Sequence, residues 1–180
     1  KMVSGFLQSE NHLHFGNHEQ TNTGIHRQSY KVEPCMDPMN ESVEIEGVIV
    51  QPLNQITDNR GSVLHMLRSD SDFFKQFGEI YFSEIHSGTV KAWKRHKKQT
   101  QNLAVPFGKI RLVIYDSRPT SSTHEKITEY KLGRPEHYKL IHIPPMLWYG
   151  FQGIEDQTSM VANCTDRPHN PEETESLPAN

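Results

Sequence analysis

From about residue 45 onward, the apolar residues fall in short runs that alternate with polar positions and are cut by Gly, Pro, Asp and Asn. Runs of this length, rich in β-branched and aromatic residues, have the period of strands rather than of helices. The pattern predicts strands over 48–52, 62–67, 79–86, 90–95, 101–106, 109–115, 126–131, 138–143 and 158–163. Turns are expected at Asp58-Asn59-Arg60-Gly61, Ser87-Gly88, Phe107-Gly108 and Gly133-Arg134-Pro135, where turn-forming residues cluster. One short helix is predicted over 71–77: Ser71 can cap it, Asp72 suits its first turn, and Phe73, Phe74 and Phe77 give it an apolar face. Nine strands with a lone helix make an all-β sandwich or barrel and not an alternating βα sheet. The segment after Thr165, with Pro168 and Pro171, reads as irregular surface.

The first 38 residues break this pattern. They hold His12, His14, His18 and His26 among many Asn and Gln, with no clear apolar period. Residues 1–38 are therefore expected to be a polar extension or arm, and Met39 to open a single domain over 39–180. A metal cluster of His12, His14 and His18 is the lesser reading, because scattered histidines in a polar arm rarely complete a ligand set. A net charge of -3 argues against a globally basic nucleic-acid binder. No apolar stretch nears the roughly 18 residues a membrane span needs, and no signal-peptide core opens the chain. Two cysteines, Cys35 and Cys164, are too few for a disulfide scaffold. A soluble, reduced, cytoplasmic protein is the expectation.

The chemistry concentrates between Gly88 and Gly108. Gly88 is followed by five residues, then Lys94, one residue, His96, four residues, Gln101, six residues and Gly108. A second segment reads Pro144-Pro145-Met146-Leu147-Trp148-Tyr149. Both resemble the two motifs of the cupins in spacing, while three of the four metal-ligand positions hold non-ligands. Lys94 and His96 lie two apart on a strand, so both should face one side, into the barrel. One histidine beside a lysine is a poor site for a divalent cation, so no metal and no cofactor are expected.

The chain further resembles the family of dTDP-4-dehydrorhamnose 3,5-epimerases and related ketosugar isomerases over about residues 45–171. The likeness rests on Asp58-Asn59-Arg60-Gly61, Val90-Lys91-Ala92-Trp93, Asp116-Ser117-Arg118, Ile143-Pro144-Pro145, Gly150-Phe151 and Asn163-Cys164-Thr165-Asp166, in this order. It implies a cupin jelly-roll barrel, a dTDP-sugar substrate, a role in deoxysugar or polysaccharide biosynthesis, and a homodimer built by exchanging N-terminal strands. On that alignment Lys94 stands where the epimerases carry a catalytic histidine, Tyr149 replaces a second histidine, and Ala162 occupies the place of an acid tyrosine. His96 matches the second histidine of the ketoisomerase His-x-His pair.

The implied reaction needs a base for the acidified proton beside a ketone, a group that steadies the enolate oxygen, and an acid that returns the proton. Lys94, His96 and Tyr149 are the candidates. Lys94 can act as base in its neutral form or hold the enolate as a cation, and Tyr149 can act as the acid. Arg60, Lys91, Arg95, Gln101 and Trp148 are the candidate substrate-binding residues, with Arg60 and Lys91 on the diphosphate and Arg60 supplied by the same or the neighbouring subunit. Lys97 and Lys98 read as solvated, and no aromatic array accompanies the cations as single-stranded nucleic acid would require. The rival from another class is a catalytically silent cupin that binds a sugar nucleotide or a protein partner. A metal-dependent oxygenase is disfavoured by the missing ligands.

Overall fold

The computed structural model describes residues 44–179. The expected arm at 1–38, with His12, His14, His18 and Cys35, lies outside the described residues. Within them the chain forms β1 (Ile49–Pro52), β2 (Gln55–Asp58), β3 (Gly61–Leu64), β4 (Glu79–Ile85), β5 (Val90–His96) and β6 (Gln101–Phe107). It continues with β7 (Lys109–Asp116), β8 (Ile127–Gly133), β9 (Lys139–Ile143), β10 (Leu147–Gly153), β11 (Ser159–Thr165), a 3-10 turn at Pro171–Glu173 and β12 (Thr174–Ser176). Two five-stranded sheets result, in the orders β1-β9-β6-β11-β4 and β12-β5-β10-β7-β8, with β2 and β3 forming a separate hairpin. Every strand pair is antiparallel. This is the all-β jelly-roll barrel that the sequence pattern and the resemblance predict.

Alternation along the strands decides which side chains fill the space between the sheets. On β7, Ile110, Leu112 and Ile114 are completely buried. They pack with Leu103, Val105, Val161, Tyr149 and Phe151 from β6, β11 and β10 in one apolar core. Each such side chain contributes about 1.5–3 kcal/mol by leaving water. The alternate residues of the second sheet, Trp93, Val113 and Trp148, form a smaller cluster with Ala92, Tyr115 and Ile127 on its other face. Both tryptophans are therefore packing residues. Gly108 joins β6 to β7 at φ +74°, and a Cβ there would lie 2.6 Å from Ser159 Cα, so the turn requires glycine.

Asp116 closes the far end of β7. Its fully buried carboxylate accepts from Arg118 Nε at 2.9 Å, Ser121 Oγ at 2.5 Å and Thr123 Oγ1 at 2.7 Å. Burial pushes its pKa up, but the Arg118, Ser121 and Thr123 hydrogen bonds more than offset this and hold the carboxyl well below the usual range. Asp116 and Arg118 thus form a structural pair at a strand end, as their positions suggested.

Strands β2 and β10 form where the pattern predicts none, and two further expectations fail. Residues 71–77 are not helical: Phe74 N donates to Ser71 O at 2.9 Å in a single turn, and the chain then runs on without regular structure. The three phenylalanines do not share a face, because Phe73 packs against His142 with ring centroids 4.9 Å apart while Phe77 is 64% exposed. A single turn without a shared apolar face cannot offset the cost of nucleating a helix. The other failure is the tail, which ends in β12 paired with β5 and not in irregular surface. No helix among the described residues is long and apolar enough to cross a membrane.

Candidate active site

The site begins with an irregularity in β5. Tyr149 of β10 is in register with Lys94, but Phe151 is in register with Lys91, so Ala92 and Trp93 together oppose Gly150. This is a β-bulge, with two residues facing one. Lys91 and Lys94 would point to opposite faces of a regular strand, and the bulge turns both toward the gap between the sheets. Gly150 makes room for it, since a Cβ there would lie 2.4 Å from Ala92 Cβ.

Both lysines line a cavity of about 360 Å³ between the two sheets. From their own sheet Ala92, Tyr149 and Phe151 join them; from the facing sheet come Tyr81, Ser83, Leu103, Val161 and Asn163. A second hollow, lined by Glu79, Tyr81, Lys94, His96, His169 and Thr174, shares Tyr81 and Lys94 with the first. Lys91 Nζ donates to Ser83 Oγ at 3.0 Å and to the carbonyl of Glu84. Lys94 is exposed, with Nζ 3.5 Å from Ser176 Oγ on β12.

Along and behind the cavity wall runs a chain of hydrogen-bonded polar groups, most of them buried. Glu173 Oε1 accepts from the backbone amides of Lys98 and, at 2.6 Å, Gln99, while its Oε2 stands 3.2 Å from His96 Nδ1. A carboxylate only accepts, so Nδ1 carries the proton and Nε2 of a neutral His96 is the acceptor. That nitrogen lies 3.3 Å from the hydroxyl of Tyr149, which also reaches Gln101 Oε1 at 3.4 Å. Gln101 Oε1 accepts from Asn163 Nδ2 at 2.6 Å, and the same Nδ2 reaches the Tyr81 hydroxyl at 2.7 Å. Burial lowers the His96 pKa against the opposing pull of Glu173. Burial likewise raises Tyr149 far above an ordinary phenol. For Glu173, burial raises the pKa, yet the amides of Lys98 and Gln99 with His96 outweigh it and the net shift is downward.

The predicted residues separate into four groups. Lys91, Lys94, His96 and Tyr149 converge on the two hollows. Gln101 is buried one step behind, as a partner of Tyr149 and Asn163. Arg95 and Trp148 lie on the far face of the second sheet, where the alternation of β5 and β10 sends them, with the Arg95 guanidinium 4.5 Å above the Trp148 ring and paired to Glu175 at 2.5 Å. Arg60 sits in the β2–β3 turn, its side chain 85% exposed and bonded to Asp58 at 2.6 Å, and does not line the cavity of its own chain. Tyr81, Ser83, Asn163 and Glu173 were not foreseen. Strand alternation would have placed Tyr81 and Ser83 inward, but nothing local marks Glu173, which reaches His96 across 77 positions. Among the described residues no three His, Cys, Asp or Glu side chains gather in a metal-binding arrangement.

Comparison with known proteins supplies a family for this geometry. Residues 42–180 match the family model described as dTDP-4-dehydrorhamnose 3,5-epimerase. The chain is 34% identical over 121 residues to the probable low-salt glycan biosynthesis epimerase Agl13 of Haloferax volcanii, covering 66% of this chain and 77% of that protein. It is 28% identical over 129 residues to the spore coat polysaccharide biosynthesis protein SpsL of Bacillus subtilis, covering 72% and 85%. Among solved structures, a dTDP sugar isomerase from Desulfovibrio desulfuricans G20 superposes with a TM-score of 0.74 at 51% identity, over 76% of this chain and 87% of that one.

Proposed function

The chain belongs to the dTDP-4-dehydrorhamnose 3,5-epimerase family, and from that membership we propose that it epimerises or isomerises a dTDP-4-keto-6-deoxy-sugar for deoxysugar or surface polysaccharide synthesis. The observation that carries the reading is the convergence of Lys94 and Tyr149 on one cavity wall, with Glu173 and His96 aligned behind the phenol. Lys94, once it has given a proton to solvent, takes the proton from the carbon beside the ketone. Tyr149 turns its O–H from His96 Nε2 to the oxygen on which negative charge develops, and donating there steadies it. Lys91 is the cation nearest to hand for the diphosphate, and Leu103, Phe151 and Val161 offer an apolar surface to a deoxy carbon. Action in the cytoplasm, where nucleotide sugars are made, follows from this substrate. A homodimer completes the proposal, supported by the apolar side chains that β4 leaves exposed.

The test is solvent deuterium exchange at the carbons flanking the ketone of a dTDP-4-keto-6-deoxy-sugar. Lys94→Ala and Tyr149→Phe should each slow exchange by roughly 10²-fold or more with nucleotide affinity nearly intact. An absence of exchange in the parent protein would favour a sugar-nucleotide binder without catalysis.

A further inference from the structure

The hydrogen-bond accounting around Asn163 fixes the role of a residue on the opposite wall. Asn163 Oδ1 accepts from the backbone amide of Asn102 at 3.1 Å, which settles the orientation of its side-chain amide. Its Nδ2 then donates twice, to Gln101 Oε1 at 2.6 Å and to the Tyr81 oxygen at 2.7 Å. The Tyr81 oxygen is thus an acceptor in this contact, and its own proton is left to point elsewhere. Tyr81 lines both hollows and is 38% exposed, so that proton is directed into the cavity. Tyr149 differs: its hydroxyl is engaged with His96 and Gln101 inside the wall. The two phenols also stand on different sheets. Tyr149 is in register with Lys94 on the β5–β10 pair, whereas Tyr81 comes from β4, in register with Asn163 on β11.

We propose that Tyr81 is the acid that returns the proton to the face of the sugar carbon opposite the one Lys94 deprotonates, and so determines inversion. This rests on the proposed ketosugar chemistry. In the first step the C–H bond breaks, its proton goes to Lys94 Nζ and its electron pair forms the enolate. In the second the Tyr81 O–H bond breaks, the enolate carbon takes the proton and the ketone re-forms. Tyr81 is left as a phenolate, which the Asn163 amide steadies and which regains a proton from water at its exposed edge. Lys94 loses its extra proton to solvent, so no oxidant or reductant is needed. Lys94 alone, acting from one sheet, can only exchange the proton on one face; the second sheet supplies the second face.

The experiment follows a dTDP-4-keto-6-deoxy-sugar in deuterium oxide, scoring label in recovered starting sugar separately from inverted product. Tyr81→Phe should still label the starting sugar at near the parental rate while forming inverted product at least 10²-fold more slowly, and Lys94→Ala should lose both. Replacing Tyr81 by 3,5-difluorotyrosine, a more acidic phenol, should restore inversion and move the alkaline limb of its pH profile to lower pH, which a packing role would not do. Inverted product at the parental rate in Tyr81→Phe overturns the assignment of Tyr81 and leaves the ketosugar reading standing. No label and no inversion in the parent overturns both.

Discussion

Glu173 shows how one carboxylate can set the state of a site it does not line. Its two oxygens are divided between the amides of Lys98 and Gln99 and the imidazole of His96, so the ring is held with Nε2 toward Tyr149. The His96 pKa reflects a contest: burial lowers it, Glu173 raises it, and the neighbouring Lys94 and His169 lower it again. Removing one charge at a time should therefore move the ring in opposite directions. In Glu173→Gln the His96 pKa should fall further, and in Lys94→Ala it should rise, as read from the ring resonances in an NMR titration. Equal or reversed shifts would mean that the ring does not sense these neighbours. The sign for folding follows from the depressed value. The unfolded chain, with an ordinary imidazole near pH 6.5, binds the proton first as pH falls. The stability His96 contributes is complete above about pH 6.5 and is lost as pH drops through the folded value.

The β5–β10 pair is where sequence reasoning reached furthest and also where it stopped. The resemblance of two segments to the paired cupin motifs implied that Tyr149 lies opposite Lys94, and the register pairs them. Strict alternation, however, would have sent Lys91 away from Lys94, and only the bulge at Ala92 and Trp93 brings both to the cavity. The same alternation rule, applied to Arg95 and Trp148, would have removed them from the site, since each adjoins an inward residue on its strand. Strands were legible where β-branched residues alternate, as on β7. The strand β10 was missed because Gly150 and Gly153 interrupt its pattern, and β12 because Pro171 and a run of acidic residues resemble a surface tail. Only pairing across the fold marks those two as strands. The bulge makes its own prediction: Gly150→Ala forces a methyl against Ala92, overpacking worth about 1–3 kcal/mol. Its chemical denaturation midpoint should fall with an unchanged slope, and nucleotide affinity should weaken because Lys91, the cation assigned to the diphosphate, shifts with the strand. Full affinity at reduced stability would show that the bulge serves packing alone.

At the level of the molecule, the two sheets use their faces differently. The first sheet presents Tyr81 and Ser83 to the cavity, so the pleat turns Ile80 and Phe82 outward, and these are 48% and 60% exposed. Phe107, in register with Met160 on β11, is 55% exposed. Three large apolar side chains sit on strands β4 and β6 of one sheet, and β4 is the last strand in its order. Such a surface is costly in water, and an edge strand beside it invites pairing. Burial of each side chain would contribute about 1.5–3 kcal/mol. Association must offset roughly 4–15 kcal/mol of lost rigid-body freedom, so Ile80, Phe82 and Phe107 would have to act together within an interface of about 800 Å² per partner. The proposed homodimer gives this face an occupant of the right chemistry, a second copy of the same apolar strip. Phe82 is the residue to change, because it is exposed and its neighbour Tyr81 faces the other way. In sedimentation velocity at micromolar concentration the parent chain should run as a dimer, and Phe82→Glu, which puts a carboxylate into the interface, should run as a monomer of unchanged circular dichroism. A parent chain that sediments as a monomer at that concentration would rule the dimer out, and a Phe82→Glu variant that stays dimeric would move the interface to another face.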